Sequence, residues 1–159
     1  MTSDPLVFEF EVRCSVEHAF DTWCRRTSLW WPKSHSRSGD PELEVVIEGR
    51  IGGAIYERTS GGEKHVWGEV TAWEPPNRLA YAWHIYGSRE EATDVEIRFA
   101  GREGETLVTI VHAGWERLGE RGGDLRERNT NGWKTLQGSF LLAASPDAGK
   151  IEQGAATRD

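Results

Sequence analysis

TDVEIRFAGREGETLVTIVH, residues 93–112, holds two runs of strand-forming residues, 93–100 and 106–112, joined by Gly101-Arg-Glu-Gly104. Val, Ile, Thr and Phe dominate both runs, and the glycines give the backbone freedom that a tight reversal needs. A link this short cannot carry a crossover, so the two strands are antiparallel. In the second run, alternation sets Thr106, Val108, Ile110 and His112 on the inward face and leaves Leu107 and Val111 outside.

Upstream the same punctuation recurs. Segments 44–48, 54–58, 65–73 and 78–86 read as strands, separated by Gly49-Arg-Ile-Gly-Gly53, Gly61-Gly62 and Pro75-Pro76-Asn77, with Gly87-Ser88 before the quoted stretch. Together they predict an antiparallel meander. On the 78–86 strand, alternation puts Leu79, Tyr81 and Trp83 on one face and Ala80, Ala82 and His84 on the other.

Further out, Leu6, Phe8, Phe10 and Val12 share one face of a first strand, and Ser15 caps a short helix over 16–26. Leu29-Trp30-Trp31-Pro32 ends any second short helix, and the polar run that follows predicts a mobile loop over 34–41. Beyond His112, an irregular stretch 115–123 precedes a long helix from Asp124, as cap, to about Ala144. Its apolar stripe is Leu125, Trp133, Leu136 and Phe140, with Gly132 available for close approach to the sheet. Residues 145–159 lack periodicity and are expected to be a flexible tail, leaving one domain over 1–144. A single sheet must bury its apolar face, and the last helix is the only long amphipathic element available. The expected fold class is therefore α+β: a curved antiparallel β-sheet wrapped around a long C-terminal helix, the helix-grip arrangement, with one or two short helices after the first strand.

A formal charge of −7 repels nucleic acid, which is not an expected partner. No stretch has the roughly 18 apolar residues of a membrane span and no leader precedes the first strand, so membrane insertion is not expected and a cytoplasmic location is. Cys14 and Cys24 lack redox or metal spacing and read as buried free thiols. The five histidines show no zinc-ligand spacing and no nucleotide-binding or serine-hydrolase motif occurs, so neither a metal nor another cofactor is expected.

The element order and a series of local phrases resemble the SRPBCC or START-like superfamily, also called birch-pollen-allergen-like. The narrower likeness is to the branch related to the C-terminal domain of the heat-shock protein 90 ATPase activator. It is carried by Leu29-Trp-Trp-Pro32, Gly49-Arg-Ile-Gly-Gly53, Gly68-Glu-Val70, Pro75-Pro-Asn-Arg-Leu79, Tyr81-Ala-Trp83, Leu107-Val-Thr-Ile-Val-His112 and Gly132-Trp133. The resemblance implies a cavity between sheet and helix that takes up lipids, sterols, polyketides and other apolar molecules. It implies a chaperone contact only weakly, since the activator uses a separate N-terminal domain for which this chain has no room.

Eight tryptophans in a chain of 159 residues suit such a cavity, because an indole offers a large apolar face and one polar N–H. The expected ligand-binding residues are Trp30, Trp31, Tyr81, Trp83, His112 and Trp133. His112 and Tyr81 are the candidate catalytic residues. For each there is a plainer role: His112 as a packing histidine against Trp133, Tyr81 as core, and one of Trp30 and Trp31 as a plug rather than a lid. Three functions are carried forward: binding of a small, largely apolar ligand; a cavity enzyme of the polyketide cyclase or aromatase type; and a protein-interaction module, either a chaperone ATPase modulator or a homodimer formed through a sheet edge.

Overall fold

The computed structural model describes residues 3–145. β1 (Leu6–Val12) leads into α1 (Val16–Arg25), whose first turn is capped by the Ser15 hydroxyl accepting the His18 N–H at 3.1 Å. The four-residue α2 (Thr27–Trp30) follows. Then come β2 (Glu44–Ile47), β3 (Ala54–Arg58), β4 (Lys64–Glu74), β5 (Arg78–Trp83), β6 (Thr93–Arg102) and β7 (Glu105–Ala113). A short 3-10 turn, Trp115–Leu118, precedes α3 (Arg121–Ala144).

The strands form one antiparallel sheet in the order β1-β7-β6-β5-β4-β3-β2, curled as a half-barrel around α3. β1 pairs with β7 from Leu6↔His112 to Val12↔Thr106, so the first strand closes against the last and β1 and β2 are the two edges. This is the expected helix-grip architecture. The β6–β7 reversal is made by Gly104, whose φ of 70° lies in the left-handed region that favours glycine.

Alternation sorts the faces as the strand period requires. On β7, Thr106, Val108, Ile110 and His112 are buried while their neighbours are half-exposed. The helices fill the concavity with aromatics: Trp23 of α1 has its ring 4.6 Å from that of Trp30 and 4.8 Å from that of Phe140 on α3. Each such pair adds about 0.5–1.5 kcal/mol beyond the area it buries. Both cysteines are buried free thiols, and no helix of the described residues is long and apolar enough to cross a membrane.

Four details differ from the sequence reading. The strand expected over 78–86 ends at Trp83, so the face alternation stops there. The segment 34–41 is tied down rather than loose: Glu57, fully buried, accepts the backbone N–H groups of Arg37 and Ser38 and the Ser38 hydroxyl. The last helix begins at Arg121, which leaves Asp124 inside the first turn instead of at the cap. Close approach is made not by Gly132, around which a Cβ would meet nothing within 4 Å, but by Gly122, where a Cβ would overlap the Trp115 carbonyl oxygen. The expected tail lies, beyond Ser145, outside the described residues.

Gly122→Ala is therefore expected to destabilise the fold by about 1–3 kcal/mol, the usual cost of overpacking, although alanine is the better helix former. The denaturation midpoint reports it. An unchanged midpoint would mean that the Trp115–Leu118 turn yields without cost.

Candidate functional site

A cavity of about 220 Å³ lies between α3, the end of β5 and the turn after β7. Four indoles contribute to its wall: Trp31 from the end of α2, Trp83 from β5, Trp115 from the 3-10 turn and Trp133 from α3. The helix supplies Leu125, Arg128, Asn129, Gly132, Trp133 and Leu136, which are three- and four-residue steps along a single face. Gly132 leaves open space in that face where any other residue would project a side chain.

Behind the wall, His112 organises the two indoles. Trp133 Nε1 donates to His112 Nδ1 at 2.9 Å, which fixes the remaining proton on Nε2, and Nε2 lies 2.6 Å from the Thr93 hydroxyl. Trp115 Nε1 donates to the His112 carbonyl oxygen at 2.9 Å, and its ring lies 4.3 Å from the imidazole. Burial pushes the imidazole down to about 3, so it is neutral at ordinary pH. Both ring nitrogens are occupied within the protein.

The mouth is polar. Arg121 pairs with Glu91 at 2.8 Å, and both line the cavity together with Arg128 and His35. The Ser88 backbone N–H and then Arg121 hold the Glu91 carboxyl below the usual carboxylate range. Tyr86, also in the lining, donates its hydroxyl to the Ser36 carbonyl at 2.9 Å, and Trp31 Nε1 donates to the His35 carbonyl at 2.8 Å. His84 also lines the cavity, and its Nδ1 is buried without a hydrogen-bond partner.

Of the residues expected from sequence, Trp31, Trp83 and Trp133 are brought together in this wall. Trp30 is not: it is buried in the core against Trp23 and Phe140 and donates its N–H to the Thr22 carbonyl. Tyr81 is buried beside Trp83 but does not line the cavity, and burial together with the nearby Cys24 drives its phenol far above the ordinary range. His112 stands one layer behind. His84, assigned by alternation to the other face of the strand, instead lines the cavity; it stands one residue past the end of β5, its backbone N–H still donating to the Trp67 carbonyl at 2.7 Å. Arg121, Arg128 and His35 were not singled out. Stepping back along the helix from Trp133 by four and five residues would have found Asn129 and Arg128.

The arrangement can hold a compact ring system between indole faces with a polar group toward the mouth. Among the described residues, no group of three His, Cys, Asp or Glu side chains could hold a metal ion.

Comparison with solved structures supports the fold. The anthrahydroquino-gamma-pyrone synthase Txn09, complexed with SUM, is 28% identical, with a TM-score of 0.55 over 79% of this chain and 88% of that one. CalC, a self-sacrificing resistance protein from Micromonospora echinospora, is 23% identical, with a TM-score of 0.68 over 89% and 94%. The Aha1 dimer from Colwellia psychrerythraea is 17% identical, with a TM-score of 0.65 over 92% and 98%. No curated protein matches this chain. The model of the family described as activator of Hsp90 ATPase homolog 1-like protein matches residues 13–140, and the chain belongs to that family.

Proposed function

We propose that the protein binds a compact, largely apolar ligand, aromatic or lipid-like, in the cavity between sheet and α3. One observation carries this reading: four indoles wall an open volume of about 220 Å³ instead of closing it. An apolar cavity of roughly 150 Å³ already admits benzene, so this one suits a body of about two fused rings.

Gly132 provides the test, since it lies in the wall and a Cβ there meets nothing within 4 Å. Gly132→Leu is expected to fill the cavity and weaken binding of a naphthalene probe by about tenfold or more, while stability holds or rises by up to about 1 kcal/mol from relief of the helical glycine. Calorimetric titration reads the first effect and thermal denaturation the second. Full affinity in the variant would move the ligand out of this cavity.

The likeness to a synthase at 28% identity favours a second reading, in which the cavity also transforms its ligand. His84 and His35 are the imidazoles in its wall and would be the groups to move protons there. Under that reading His84→Phe keeps binding and loses turnover.

A further inference from the structure

We propose that the cavity's ligand is a planar aromatic monoanion, its ring among the indoles and its charge at the mouth against Arg128. The inference rests on the cavity reading above and adds the chemical class of the occupant.

The charge pattern carries it. The chain as a whole has a formal charge of −7, yet the formally charged side chains at this mouth are Arg121, Arg128 and Glu91, a local excess of one positive charge. Arg121 and Glu91 neutralise each other at 2.8 Å. That leaves Arg128, which has no ion-pair or hydrogen-bond partner among the described residues. A guanidinium presents a planar fork of donors, and a carboxylate fits it with two parallel hydrogen bonds. Against a repulsive background, a rim with an uncommitted guanidinium favours an anion that approaches it.

His84 adds an independent observation. Its Nδ1 is buried without a partner, an unmet hydrogen-bonding capacity in the wall of the same cavity. A half-turn of the ring exchanges Nδ1 with a carbon position, so the nitrogen has a local route to a polar group on the ligand. An indole-walled site also attracts cations through the ring faces. The net positive charge that Arg128 leaves at the mouth selects against a cation here.

The experiment is calorimetric titration of the full chain with three probes sharing one ring: naphthalene-2-carboxylate, the neutral naphthalene-2-methanol and the naphthalen-2-ylmethyl trimethylammonium cation. The carboxylate is expected to bind about tenfold tighter than the alcohol, the scale of a charge-assisted hydrogen bond at a partly wet rim. The cation is expected to bind most weakly. Arg128→Gln is expected to bring the acid-to-alcohol ratio toward one. Glu91→Gln, which removes the competing carboxylate and frees Arg121, is expected to raise that ratio, a gain that misfolding cannot produce. If alcohol and carboxylate bind equally to the unmodified protein, or the cation binds best, the anion assignment is overturned while the cavity reading stands. If none of the three binds, both fall.

Discussion

Replacing Glu57 with alanine is expected to destabilise the folded protein by about 3–5 kcal/mol at neutral pH, because a buried, fully hydrogen-bonded charge is removed from among its donors. The carboxylate is wholly buried and accepts from the Arg37 N–H at 2.5 Å, the Ser38 N–H at 3.2 Å, the Ser38 hydroxyl at 2.5 Å and Trp67 Nε1 at 2.9 Å. Alanine leaves all four donors without their acceptor. Burial alone would raise the carboxyl's affinity for protons, but the bonds from Ser38, Arg37 and Trp67 outweigh it and the net displacement is downward. A depressed carboxyl stabilises the fold fully above its unfolded value near 4.5, and that contribution is lost as the pH falls through the lower folded value. The variant should therefore be weaker at pH 7 and show a shallower acid transition below about pH 4.5. Urea unfolding at pH 7 and pH 3 measures both. The change should also reach the ligand site, since the segment held by Glu57 carries His35 of the cavity wall and the Ser36 carbonyl that Tyr86 grips. A midpoint at pH 7 equal to that of the unmodified chain would show that water replaces the carboxylate without loss.

Glu57 also illustrates which parts of the molecule were legible beforehand. The meander from β2 to β7, the single long helix and the inward set Thr106, Val108, Ile110 and His112 follow from alternation and turn chemistry, which are local, whereas the pairing of β1 with β7 joins the two ends of the sheet's sequence and was not read. A glutamate in the middle of Ala54–Arg58 gives no local sign that it will be buried. Its partners lie on a loop about twenty residues away and on the neighbouring strand, and only the fold brings them together. The loop over 34–41 therefore looked mobile when read alone.

The site divides in the same way. Trp83 and Trp133 were identifiable because large apolar side chains sit at positions where the period points inward, and Trp31 because an indole beside a chain-breaking proline suits a cavity rim. Trp30 differs from Trp31 by a single position, and that step turns it into the core against Phe140. His84 was misplaced because the period of two holds only while the strand lasts, and nothing in Trp83-His84-Ile85-Tyr86 marks the end of pairing before the glycine. The charges at the mouth were not singled out because their relation to a cavity depends on the angle at which α3 crosses the sheet.

His112 is expected to make stability fall by about 2–3 kcal/mol between pH 6.5 and pH 4.5, at about 1.4 kcal/mol per unit. Burial holds its folded value near 3, against an ordinary value of 6.5. In the window between, the unfolded chain takes up a proton that the folded chain refuses, so stability is complete above pH 6.5 and declines as the pH drops toward 3. The refusal has a local cause. Protonation at Nδ1 would set an N–H against the Trp133 N–H that now donates there, inside a site with no exposed surface. His112→Gln, whose amide can accept from Trp133 and donate to Thr93 but does not titrate, is expected to be less stable at pH 7 and nearly flat between pH 6.5 and 4.5. The Glu57 contribution is lost only below that range, so urea titrations at half-unit steps separate the two groups: His112 governs the upper limb and the carboxylate the lower. An upper limb that persists in His112→Gln would assign the proton uptake to another group and remove the imidazole as the pH-sensitive link between Trp133, Trp115 and the cavity they wall.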